Sequence, residues 1–239
     1  MYTACRHHIS ELLLGNVFSC EIGPSCGPDV GVFKRFQNSW SFVDQKNFDP
    51  DFKDLPNAQD IISSCKDYLE KTPKGSHTRD DYRELAELVI ISLGSEPDRG
   101  IRFIAPGAMH NARWMAKAIY SLKIWLFRRQ EVIKLSKNER QGIRNVCIFI
   151  LAHYAVYWFK TPLPLIAPRT DLKLLQNLAA EDSASSKAAL NKLKNHLWYL
   201  SEELVALAFF DSEVDPSIKK QMLANPKEKA ARNGAFASL

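Results

Sequence analysis

Cysteine is scarce and unpaired in this chain. Five residues, Cys5, Cys20, Cys26, Cys65 and Cys147, give an odd count with no C-x-x-C. That pattern excludes a small disulfide scaffold and points to a reducing, intracellular compartment. Ten glycines and twelve prolines in 239 residues are too few for a low-complexity or disordered chain. Neither standard Gly-rich phosphate loop occurs, which removes the motif support for a nucleotide-hydrolysing or dinucleotide-binding enzyme. Met1 to His8 has no apolar h-region, so no secretory signal is expected. The longest apolar stretch, 146–159, contains His153 and falls short of the roughly 20 residues that span a bilayer. We therefore expect a buried core helix there and no membrane partner. Strand signals are confined to Arg102-Phe103-Ile104, and no repeat of 20–50 residues is visible.

What is present is helical. A hydrophobic fraction of 46% and a charged fraction of 25% allow a core of normal size. The first helix opens directly on Cys5-Arg6-His7-His8, with Ile9, Leu12, Leu13 and Val17 as its apolar face. Such an abrupt start is expected of a fragment of a longer protein. Pro28 and Asp29 fit the first turn of a second helix facing inward through Val32, Phe33, Phe36 and Trp40. An acidic loop over 44–56 follows, then helices from Asn57 and over Asp80 to Leu93, with Gly94 as a C-cap. The strongest signal begins after Pro106-Gly107: Trp114, Met115, Ala118, Ile119, Leu122, Trp125 and Leu126 recur at spacings of three and four. Ser136 with Glu139 reads as a capping box opening a helix to about Phe159. Pro162, Pro164 and Pro168 predict a break, Leu172 to Leu178 a short helix, and Ser183 or Ser185 the start of a last long leucine-faced helix. The expected fold is all-α, an irregular multi-helix bundle of about seven to nine helices with at most one very short strand. Residues 1–215 form one helical domain in this reading, and 216–239 a basic, flexible tail.

Charge is placed unevenly within the net +5. Residues 1–120 carry 14 Lys and Arg against 16 Asp and Glu, and residues 121–239 carry 18 against 11. A basic second half fits a nucleic-acid or acidic partner, and equally an ordinary solvated surface. Four constellations bear on chemistry. Cys5, His7 and His8 with Cys20 or Cys26 offer zinc ligands at a spacing that matches no standard finger. Cys5 and His153 with an acid would make a nucleophilic set, without any local signature. Asp44, Asp49, Asp51 and Asp54 lack the Gly and terminal Glu of a calcium loop and read as solvated. The fourth is the break at Pro106-Gly107 with the basic helix behind it. His110, Asn111 and Arg113 occupy the first turn, where unpaired backbone N–H groups favour anions. Arg113, Lys117, Lys123, Arg128 and Arg129 add cations beside Trp114, Tyr120 and Trp125, the combination that stacks bases and holds phosphates. The aromatics are read first as core anchors and the cations as a solvated face. For His110 and Arg113 both readings stay open.

Two segments resemble the hAT-superfamily DNA transposases. Cys5-Arg6-His7-His8-Ile9-Ser10-Glu11-Leu12 is similar to that family's C-x-x-H-x-L-N-L segment, and Ala112-Arg113-Trp114 to its R-W segment. Glu11 stands where the family has Asn and Ser10 where it has Leu. The resemblance implies a transposon-derived helical part of a larger RNase H-like enzyme, nuclear, with DNA as partner. It implies that His8 and Trp114 lie near DNA, with Arg113 beside the phosphate path. The strands that carry the family's first two metal-binding acids have no counterpart here, and Glu202 and Glu203 are the nearest candidates by order for the third. No catalytic or metal residue is therefore assigned. The chain is expected to be incompetent for cleavage alone, needing no cofactor, with Mg²⁺ relevant only within a complete transposase. The expected nucleic-acid contacts are His8, His110, Arg113, Trp114, Lys117, Arg128 and Arg129. The alternative is a helical module that docks a protein partner or a second copy of itself.

Overall fold

The computed structural model describes residues 6–24, 30–71, 80–107, 115–161, 163–194 and 206–224. Its elements are α1 (Arg6–Ile22), α2 (Gly31–Ser39), α3 (Ala58–Lys71), α4 (Asp80–Ser92), α5 (Ala116–Leu126), α6 (Lys137–Phe149), α7 (Ala155–Phe159), α8 (Ala167–Ala180) and α9 (Ala184–Lys194). Single 3-10 turns add Trp40–Phe42, Pro164–Ile166 and Ala206–Phe210. The protein is all-α, and no strand occurs among the described residues. Arg102 to Ile104 is extended but unpaired with any other segment as a ladder.

Packing follows the order α9–α1–α6–α5–α4–α3, each helix against the next, with α7 touching α3, α4 and α8. The helices at the centre of that series carry the most continuous apolar surface. All of α5 is buried except Lys117. A helix apolar on every side must be surrounded by others. Aromatic rings tie the layers together. Phe33 of α2 stacks on Tyr120 of α5 at 4.8 Å and tilts against Phe18 of α1 at 5.1 Å. Phe103 packs edge-on to Phe127 at 4.8 Å, which holds the extended segment after α4 against the end of α5.

The long helix after Ser136 starts as its sequence predicts. The Ser136 side chain accepts the Glu139 N–H at 3.2 Å, and the Glu139 carboxylate accepts the Ser136 N–H at 2.9 Å. Burial alone would raise the Glu139 carboxyl. Hydrogen bonds from Ser136 and Arg35 outweigh it and hold the group below its usual value. The helix then changes winding. Ile150–Tyr154 is π-helical before α7 resumes the α form, an insertion that re-aims the side chains following it. Lys137–Phe159 is, by length and composition, able to cross a membrane, but 67% of its most apolar window is buried inside this fold, as in a core helix.

Two expectations about element ends are corrected. The break near the prolines is shorter than predicted, because Pro168 sits in the first turn of α8, where its missing N–H has no intrahelical partner to lose. Helix α8 therefore begins at Ala167 instead of Leu172. The described part of the predicted second helix starts at Gly31 after an extended Val30, and Pro28 and Asp29 lie outside the described residues. Part of the tail, residues 216–224, is helical. Most of the last leucine stripe, 195–205, lies outside the described residues, as does 225–239.

Helices α1 and α6 approach closely at Gly142. A Cβ there would lie 2.4 Å from the Glu21 carbonyl oxygen, and backbone on that side cannot step aside cheaply. Gly142→Ala is therefore expected to cost roughly 1–3 kcal/mol, read by urea unfolding. A variant as stable as wild type would mean that α1 and α6 are not packed at this distance.

Candidate nucleic-acid interface

Two cations of the basic helix and its end are turned inward. Lys123 is 1% exposed. Its ammonium forms an ion pair with Glu84 of α4 and donates to the Ile104 carbonyl at 2.6 Å, with the Trp40 ring 5.7 Å away. Burial pulls the Lys123 ammonium down and pushes the Glu84 carboxyl up, while their mutual attraction opposes both. Arg128 is 5% exposed. Its guanidinium pairs with Asp49, lies 3.4 Å from Asp51, and donates to the carbonyls of Asp49 at 3.0 Å and Trp125 at 2.7 Å. Its plane stands 4.3 Å over the Trp125 ring. Burial lowers the Arg128 pKa, and the two aspartates counter it.

This revises the expected contact set. Arg128 is not a surface cation: its two terminal nitrogens are held inside by the Asp49 and Trp125 carbonyls and by the Asp49 and Asp51 carboxylates. The acidic loop 44–56 is correspondingly not merely solvated. Asp49 and Asp51 are the counterions of Arg128, and the Asp49 N–H donates to the Leu126 carbonyl at 2.9 Å. Arg129 is exposed but pairs with the same Asp49 at 2.7 Å. Lys117 is half-buried near the start of α5, and His8 is exposed on the first turn of α1, a different helix. His110, Arg113 and Trp114 lie outside the described residues. Tyr120 and Trp125 are buried core aromatics, the first of the two readings of the sequence.

A row of exposed cations lies on α6: Lys137, Arg140 and Arg144 recur at spacings of three and four, beside the buried stripe of Ile143, Val146 and Cys147. None has an ion-pair partner among the described residues. Arg140 also donates to the Arg128 carbonyl at 3.2 Å, which fixes the ridge to the end of α5. Lys134 extends the line before the helix. On the same face the Gln141 amide donates to Asn145 at 2.9 Å. Elsewhere many exposed cations are neutralised locally, as in Arg35–Glu139, Lys66–Asp98 and Lys187–Asp182. The signal for this ridge was in the sequence, as the charged complement of the apolar stripe on α6.

A second polar site lies at the π-helical turn. His153 is buried, and its Nε2 stands 3.0 Å from the Glu181 carboxylate, which also accepts the Ser186 hydroxyl at 2.7 Å. Its Nδ1 is buried with no hydrogen-bond partner among the described residues. His153, Tyr154, Tyr157 and Asp171 line a cavity of about 40 Å³ with otherwise mostly apolar walls, room for little more than water. Ser10 also lines it, and no cysteine does. The Cys65 and Cys147 thiols are pushed far up by burial and stay protonated. Among the described residues no group of three or more His, Cys, Asp and Glu is placed to hold a metal ion. Cys5 and Cys26 lie outside them.

No known protein family, curated protein or solved structure matches the chain. The site is accordingly read from its own geometry.

Removing one member of a buried ion pair leaves the other charge uncompensated. Lys123→Ala is thus expected to lower stability by about 3–5 kcal/mol. Lys123→Met combined with Glu84→Leu should recover most of it, and Lys117→Ala should stay within about 0.5 kcal/mol. Urea unfolding of the three proteins checks this; equal stability of Lys123→Ala and Lys117→Ala would contradict the burial of the ammonium.

Proposed function

We propose that this chain is a helical nucleic-acid-binding protein whose contact surface is the solvent face of α6. The observation that carries the reading is the uncompensated ridge of Lys137, Arg140 and Arg144, continued by Lys134. Fixed like charges at one-turn spacing repel each other, and an extended polyanion relieves that repulsion. At 1.5 Å per residue the three helical cations span roughly 10 Å, and a nucleic-acid strand offers one phosphate per about 3.4 Å of axis. Gln141 adds a neutral amide beside them, suited to phosphate and sugar oxygens, while the Asn145 amide is given to the Glu21 carboxylate at 2.7 Å. Arg129 joins this surface only by exchanging Asp49 for a phosphate. A transposon-derived origin and a nuclear location, implied by the resemblance at Cys5–Leu12 and Ala112–Trp114, agree with such a partner. The R-W segment lies outside the described residues, so the proposal rests on α6. The proposal includes no catalytic step.

A second reading, a module for a protein partner or a second copy, is favoured by apolar side chains left in solvent. Phe210 is 71% and Leu163 51% exposed, and the two 3-10 turns beside them pack together. The two readings separate by salt dependence.

Binding to a labelled oligonucleotide should weaken linearly with log salt. Lys137→Ala with Arg144→Ala should reduce that slope by about 1.4 on a single strand. Fluorescence anisotropy across a salt series measures both. Absence of binding at low salt by the folded protein refutes the proposal, and an unchanged slope in the double variant refutes its placement on α6. Arg113→Ala with Trp114→Ala, in the same series, reports whether the central break contributes.

A further inference from the structure

A groove of about 280 Å³ opens where α2 meets the segment leading into α6. Phe36 of α2, Ile124 of α5, and Ile133 and Leu135 of the connecting segment form its apolar walls. Asn38, Arg35 and Lys134 stand at its polar edge, all exposed. The groove therefore ends where the α6 ridge begins: Lys134 lines it and lies three residues before Lys137, and Arg35 is paired with Glu139 in the first turn of α6. An apolar concavity joined to a line of unpaired cations is chemically matched to a ligand with a flat apolar part and a charged backbone.

We infer that this groove receives an unpaired nucleobase while the adjoining strand runs along Lys134, Lys137, Arg140 and Arg144, so that the nucleic acid bound is single-stranded. The inference rests on the nucleic-acid reading and adds to it the substrate class. The volume sits at the lower edge of the roughly 300–1,000 Å³ typical of small-molecule sites, enough for one planar ring. Phe36 backs the wall with its ring held by Trp40 and Tyr120, and the half-buried Val132 and Leu135 offer the apolar surface, on which a base packs with little regard to sequence. The Asn38 amide, with one acceptor and two donors, is placed at the edge to meet the hydrogen-bonding side of a base. In a duplex that side is paired and the base face is stacked, so neither reaches into a concave groove. Phosphate contacts alone would favour the duplex, which carries more charge per length of axis.

The test uses the full chain and three labelled probes at one salt concentration: a 12-nucleotide single strand, the same strand with abasic sites throughout its centre, and the 12-base-pair duplex. The intact strand should bind about tenfold more tightly than the abasic strand, and more tightly than the duplex. Val132→Trp, which places a bulky ring in the groove from a half-buried position, should bring the intact strand down to the affinity of the abasic one, with folding checked by far-UV circular dichroism. Equal affinity for intact and abasic strands, or preference for the duplex, overturns the base-binding groove while leaving the α6 ridge standing. Failure of all three probes to bind at low salt overturns both. The abasic comparison needs no variant, so it decides the matter even where Val132→Trp does not fold.

Discussion

The burial of two cations on α5 and its end is the constraint on which the rest of the structure depends. Lys123 and Arg128 are enclosed by a bundle that places α5 at its centre, and a buried charge is tolerable only when it is paired and hydrogen-bonded. Each therefore recruits a segment without regular structure. Lys123 takes Glu84 from α4 and the Ile104 carbonyl from the extended segment. Arg128 takes Asp49, Asp51 and the Asp49 carbonyl from the acidic loop. Tyr120 reinforces the first arrangement by donating to the Gly107 carbonyl. Gln130 reinforces the second by donating to the carbonyls of Asp44 and Asn47 at 2.7 and 2.6 Å. The acidic loop before α3 and the segment after α4 are thus held by ion pairs and hydrogen bonds as well as by the packing of Phe48, Phe52 and Phe103.

A consequence follows for the surface. With Lys123 and Arg128 inside, and Arg129 drawn to Asp49, the basic second half of the chain has little charge left on α5. A row of unpaired cations stands on α6, whose inner face packs on α1 and α5 and whose outer face is polar throughout its first three turns. The capping box at Ser136 and the Arg35–Glu139 pair fix the start of that helix. The Arg140 contact to the Arg128 carbonyl fixes its rotation. Rigid presentation matters for a phosphate-binding ridge, because the entropy of ordering long side chains is the main cost of using them.

The π-helical turn at Ile150–Tyr154 is the one irregularity in the core helix. It carries His153 to Glu181 and Tyr154 to Glu11, whose carboxylate accepts the Tyr154 hydroxyl at 2.7 Å. Polar groups are thereby seated among α1, α7, α8 and α9, where Phe149, Leu13 and Leu193 provide the apolar surround. The arrangement is one of buried polar satisfaction, with Nδ1 of His153 the exception.

The sequence by itself determined the helical class and most helix positions. Periodicity on α1, α3, α4 and α6 and the Ser136–Glu139 box are local signals, and local hydrogen bonding enforces them. It also favoured a core role for Trp125, whose spacing matches the apolar face around it. Only the tertiary structure decided which cations are available. Lys123 and Arg128 read as surface charges because a sequence displays no counterion, and their partners Glu84 and Asp49 lie 39 and 79 residues away. The role of Asp49 and Asp51 was hidden for the same reason. The π-turn was equally illegible, since one extra residue per turn leaves no mark on composition. The groove between α2 and the entry to α6 exists only because Ile124 and Ile133 come together behind Phe36, a juxtaposition set by long-range packing and by no motif.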